Sequence, residues 1–74
     1  MTNFRFAVMG AGNIANKFCD AVNRIADCEV AAVASKSMER AQAFARKNGL
    51  KAAYDSYEKM LIEEKPDCVY IAVT

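Results

Sequence analysis

The segment Gly10-Ala11-Gly12-Asn13-Ile14-Ala15 follows directly on Phe4 to Met9, a run in which only Arg5 is not apolar. This order constrains the fold more than any other feature of the chain. A short apolar run that stops at glycine reads as a buried strand. Beyond the glycines, Ile14, Phe18, Val22 and Ile25 recur at helical spacing, with Lys17, Asp20 and Arg24 off that face. The spacing predicts an amphipathic helix from Asn13 to about Ile25. A strand must therefore turn into a helix within a few residues. Gly10 permits the tight turn, Gly12 leaves the backbone bare, and Ala15 lets the helix lie close to the strand.

The same alternation continues down the chain. Glu29 to Ser35 (EVAAVAS) is rich in small and β-branched residues and fits a strand buried on both faces. Ser37 is placed to cap the next helix, with Glu39 in its first turn and Gly49 at its left-handed C-terminal position. The buried face of that helix is predicted to be Ala41, Phe44 and Ala45. A very short strand over Lys51 to Tyr54 follows. Asp55 with Glu58 resembles a capping box, opening a helix on Tyr57, Met60 and Leu61 that ends at Lys65 and Pro66. Asp67 to Val73 (DCVYIAV) is the last strand. The order β-α-β-α-β-α-β implies parallel pairing through right-handed crossovers. The fold class is thus α/β, a partial doubly wound Rossmann-type parallel sheet in the order 3-2-1-4, with a cleft above the C-terminal ends of the first and fourth strands.

In that context G-x-G-x-x-A is a phosphate-binding pattern. The backbone can approach a pyrophosphate at Gly12, and the amides of Asn13 and Ile14 at the positive end of the helix can receive it. The alternative is a loose turn that binds nothing. The end of the second strand usually carries an Asp or Glu for the ribose hydroxyls of NAD, but here the residues are Ala34, Ser35, Lys36 and Ser37. A carboxylate repels a 2′-phosphate, whereas Lys36 pairs with it and Ser35 can donate a hydrogen bond. Arg40, one turn on, adds a guanidinium. The pattern favours NADP, with NAD as the second option; the alternative is that Lys36 and Arg40 are ordinary solvated charges at a helix start.

Composition narrows the remaining classes. Seventy-four residues hold one domain, and 10 basic against 9 acidic residues give neither a nucleic-acid footprint nor a polybasic membrane patch. Three cysteines, Cys19, Cys28 and Cys68, match no zinc spacing, and no histidine completes a metal site. They read as reduced thiols of a cytoplasmic protein. No run is long enough for a signal h-region or a membrane span. Tyr54, Tyr57 and Tyr70 read as packing or partly exposed residues, with aromatic contact to a ligand as the alternative.

The stretches GAGNIA, VAAVASKSMERAQAFARKNGL, KAAYDSYEKML and PDCVYIAVT together resemble the N-terminal part of the glucose-fructose oxidoreductase/inositol dehydrogenase-like (Gfo/Idh/MocA) family, over Phe4 to Thr74. The resemblance implies a nicotinamide-dependent oxidoreductase acting on a sugar, polyol or related alcohol. It implies hydride exchange between substrate and nicotinamide, with a lysine assisting proton transfer. Carried over by position, it places Gly10, Ala11, Gly12, Asn13 and Ile14 at the pyrophosphate, Ser35 and Lys36 at the adenosine ribose and its phosphate, and Ala72 and Thr74 at the mouth of the fourth strand near the cofactor.

The family's catalytic Glu-Lys-Pro follows a fifth strand. Glu64-Lys65-Pro66 has those letters but precedes the fourth, at what reads as a solvated helix end far from the cleft. Residues 1–74 are therefore expected to be the N-terminal portion of the cofactor domain, without general base or substrate domain, and inactive alone. The small-molecule substrate would then bind only in the full-length parent. A non-catalytic nucleotide-binding regulator is the alternative. The apolar fourth strand, at an edge, is expected to drive self-association through Val69 to Val73.

Overall fold

In a computed structural model, residues 4–72 are described. They form β1 (Phe4–Met9), α1 (Asn13–Val22), β2 (Cys28–Ala34), α2 (Met38–Asn48), β3 (Ala52–Tyr54), α3 (Tyr57–Glu64) and β4 (Cys68–Ile71). The four strands make one sheet in the order β3-β2-β1-β4, and β1 pairs in parallel with both β2 and β4. The expected fold class and strand order are those observed. From β1 to β3 each crossover steps the same way along the sheet, whereas the third steps back past β1. Crossovers of one hand therefore put α1 and α2 on one face and α3 on the other.

The two faces are built differently. Under α1 and α2 lie Val8, Val30 and Val33, packed against Ala15, Cys19, Val22, Ala41, Phe44 and Ala45. Under α3 lie Ala7, Ala32 and Ala34, small side chains that admit the fully buried Met60 close to the sheet. Burying a methionine of that size stabilises by roughly 1.5–3 kcal/mol. The face of β2 changes between Val30 and Ala32, because the register with β1 slips by one: Phe6 faces Val30, but Ala7 faces Ala32. Ala31 is the extra residue of a bulge, which re-aims the C-terminal half of the strand.

Helix α2 follows the sequence expectation closely. Ser37 Oγ accepts from the Arg40 amide at 3.4 Å, Gly49 is left-handed at φ 69°, and Ala41, Phe44 and Ala45 are its buried face. Helix α1 departs from expectation. It ends at Val22 rather than near Ile25, where the Arg24 and Ile25 amides bond to Ala21 and Val22 in tight turns. That reversal lets β2 begin at Cys28, one residue earlier than expected. Its buried face is Ala15, Cys19 and Val22, while Ile14 is 59% and Ile25 53% exposed. The physical reason is close approach: small residues take the contact with the sheet. Phe18 reaches sideways instead, edge-on to Phe6 at 5.2 Å and stacked on Tyr70 at 4.0 Å.

The cap of α3 also differs. Ser56, not Asp55, occupies the N-cap and accepts from the Lys59 amide at 3.3 Å, while Lys65 closes the helix in the left-handed region at φ 46°. Glu64 is not a solvated helix end. Its Oε1 accepts from Arg5 Nη2 at 2.9 Å, its carbonyl from Arg5 Nη1 at 2.6 Å, and its Oε2 from the Tyr54 hydroxyl at 2.5 Å. Arg5 stands at the N-terminal end of β1, so this cluster lies at the opposite end of that strand from Gly10. Strand β4 is an edge, with Ile71 64% exposed. Val73 and Thr74 lie outside the described residues.

Candidate functional site

Strand β1 delivers the chain to Gly10 at φ 105°, a conformation that side-chain-bearing residues rarely adopt. The Gly10 amide donates to the Ala34 carbonyl at 2.8 Å, and the Ala72 amide to the Met9 carbonyl at 2.8 Å. The C-terminal ends of β2, β1 and β4 are thus tied side by side. Gly12 has a different reason to be glycine. Its backbone, at φ −104° and ψ −170°, suits any residue, and a Cβ added there would meet nothing within 4 Å. The space in front of it is open.

Gly12 is the N-cap of α1, and no side chain caps that end or places a carboxylate in its first turn. Helices α2 and α3, in contrast, each have a serine cap and a glutamate in the first turn. The first amides of α1, those of Asn13 and Ile14, therefore lack side-chain acceptors, at the positive end of the helix dipole.

A cavity of about 470 Å³ opens at this edge, lined by Gly10, Ala11, Gly12, Ser35, Lys36, Arg40, Tyr57 and Ala72. Its size falls in the range of small-ligand sites, about 300–1,000 Å³. The cavity unites the glycine turn with Ser35, Lys36, Arg40 and Ala72. Asn13 and Ile14, expected at the pyrophosphate, are exposed and are not among the residues that line it. Thr74 lies outside the described residues.

Ser35 is buried, and its Oγ accepts from the Ser37 amide at 3.4 Å. Its hydroxyl proton is left to donate. Lys36 and Arg40 are exposed and make no ion pair among the described residues, and no carboxylate lines the cavity. Glu29, the acidic residue of the second strand, sits at the other end of the sheet, 3.8 Å from Arg5. Tyr57 also lines the cavity, although the sequence favours packing over a ligand contact for it.

The family model described as an oxidoreductase family with an NAD-binding Rossmann fold (GFO_IDH_MocA) matches residues 4–74. The chain belongs to this family. Among its relatives, scyllo-inositol 2-dehydrogenase (NADP(+)) IolU of Bacillus subtilis is 37% identical over 68 residues, covering 92% of this chain and 21% of that protein. Trans-1,2-dihydrobenzene-1,2-diol dehydrogenase of Mus musculus is 36% identical over 70 residues, with the same shares. The chain thus spans about a fifth of the length of the curated relatives it matches. The WlbA dehydrogenase of Bordetella pertussis, solved in complex with NADH and UDP-GlcNAcA, superposes with a TM-score of 0.87 at 22% identity. That match covers 96% of this chain and 22% of that one, and shows the shared fold.

Proposed function

We propose that this chain is the N-terminal, cofactor-binding portion of an oxidoreductase that prefers NADP and acts on a sugar, polyol or related alcohol. The observation that carries this reading is the cavity itself. A bare glycine turn at an uncapped helix start shares it with Ser35, Lys36 and Arg40, and no carboxylate is present. A pyrophosphate fits the open space at Gly12 and the amides of Asn13 and Ile14. A 2′-phosphate fits the Lys36 ammonium, the Arg40 guanidinium and the Ser35 hydroxyl. Ala11 and Ala72 line the cavity, and Thr74 is assigned to the cofactor on the family resemblance alone. The inositol and dihydrodiol dehydrogenases among its relatives support the alcohol substrate class.

When bound, the nicotinamide accepts or supplies a hydride. In this reading the 74 residues hold the cofactor and bring none of the proton-transfer groups, so by themselves they bind without turnover. Calorimetric titration of the chain with NADP and NAD tests this. NADP is expected to bind about 10- to 100-fold more tightly, since charge-assisted hydrogen bonds contribute roughly 1.5–3 kcal/mol. Lys36→Glu is expected to remove that preference. Equal affinity of the unaltered chain for both dinucleotides would count against the phosphate site.

A further inference from the structure

We propose that Tyr57 binds the adenosine end of the dinucleotide, its ring forming the wall against which the adenine base lies; the inference rests on the cofactor reading above. The chain has three tyrosines, and two are accounted for inside the fold. The Tyr54 hydroxyl donates to Glu64, and the Tyr70 ring is stacked on Phe18. Tyr57 is half-buried, packs at the margin of the Met60 cluster and lines the cavity, and its hydroxyl bonds to nothing among the described residues.

Its place in the fold gives it a defined direction of use. Tyr57 is the first residue of α3, held by the Ser56 cap, and α3 covers the face of the sheet opposite to α2. The cavity is therefore walled on one side by Arg40 of α2 and on the other by Tyr57. Its glycine end suits phosphate, and Lys36 with Ser35 suits the ribose and a phosphate on it. A purine base needs instead a flat apolar surface, and Tyr57 is the one aromatic residue among those lining the cavity. Stacking of a base on such a ring is tolerant of base identity and adds affinity beyond the charge contacts.

The experiment is a set of titrations of the 74-residue chain with 2′,5′-ADP and with inorganic pyrophosphate, for the unaltered chain, Tyr57→Phe and Tyr57→Leu. Phe keeps the ring, while Leu keeps apolar bulk over Met60. The proposal expects Tyr57→Phe to bind 2′,5′-ADP within twofold of the unaltered chain and Tyr57→Leu to bind it about five- to tenfold more weakly. Pyrophosphate binding should be unchanged in both. Unaltered 2′,5′-ADP affinity in Tyr57→Leu overturns the proposal, and so does equal weakening in Tyr57→Phe, or a matching loss of pyrophosphate binding. Should Tyr57→Leu fail to fold, proton NMR of the unaltered chain decides. The Tyr57 ring signals must shift upfield on addition of 2′,5′-ADP, and their constancy sinks the idea. An unaltered chain that binds neither probe overturns the cofactor reading itself, a result distinct from failure of Tyr57 alone.

Discussion

Gly10 and Gly12 stand two residues apart and are glycine for unrelated reasons. At Gly10 the requirement is the backbone, since φ is 105° and a Cβ would strain the turn. At Gly12 the backbone is ordinary and the neighbouring space is open, so only a ligand would meet a Cβ there. Gly10→Ala is expected to destabilise the chain by roughly 1–3 kcal/mol, the usual range for a residue held in a sparsely populated conformation. Gly12→Ala is expected to change stability by no more than about 1 kcal/mol while abolishing dinucleotide binding. Chemical denaturation paired with calorimetry separates the two. Loss of stability in Gly12→Ala, or retained binding, would contradict the assignment. Both glycines are legible in the sequence, but the division of labour between them rests on dihedral angles that only the folded turn displays.

Among the elements, local chemistry was the most reliable guide for α2. The serine cap, first-turn glutamate and left-handed glycine of α2 lie within a dozen residues, and the helix forms between them. At the start of α3 the sequence pointed to Asp55 as the cap, and the folded backbone places Ser56 there instead. Ser56→Ala is accordingly expected to cost about 1 kcal/mol of stability, while Asp55→Ala, at an exposed residue outside the cap, stays within about 0.5 kcal/mol. Thermal or urea denaturation measures both, and the reverse ranking would restore Asp55 as the cap. The buried stripe of α1 was legible only in part: of Ile14, Phe18, Val22 and Ile25, whose period normally marks a core face, Val22 is buried and Phe18 packs at the core margin, while Ile14 and Ile25 are exposed. Close contact with the valine face of the sheet selected Ala15 and Cys19 beside Val22. The bulge at Ala31 was hidden for a related reason: Val30 to Ala34 is buried on both faces, so its pattern carries no parity.

At the scale of the whole molecule, one polar cluster joins distant segments at the end of the sheet away from the cavity. Arg5 of β1 reaches Glu64 of α3 and Glu29 of β2, Tyr54 of β3 donates to Glu64, and the Arg5 amide donates to Asp67 ahead of β4 at 2.8 Å. The hydrogen bond to Glu64, with burial and the Glu64 and Glu63 charges adding to it, pushes the Tyr54 hydroxyl from 10.0 up to about 12. The folded chain thus holds that proton more tightly than the unfolded chain. Its contribution to stability is complete below pH 10 and is lost as the pH rises toward 12.

Burial pushes the Cys19 thiol from 9.0 to about 11, which acts with the same sign in a lower window. The denaturation midpoint is therefore expected to fall above pH 9, and Tyr54→Phe to reduce the decline between pH 10 and 12 without removing it. Identical pH profiles for the two chains would show that Tyr54 and Glu64 are not linked in solution.

Element order, the parallel sheet in the order β3-β2-β1-β4, the glycine turn and the lack of an acidic residue directly after β2 were legible in the residues alone. These follow from apolar periodicity, capping residues and crossover handedness, all of which act over short stretches of chain. The folded chain alone reveals that Ala15 and Cys19 face the sheet, that Glu64 is held by Arg5 and Tyr54, and that Tyr57 shares a cavity with Gly12 and Lys36. Those outcomes depend on how closely helices approach the sheet and on which side chains meet across it. Such distances are set by packing between segments far apart in the chain, and no local pattern encodes them.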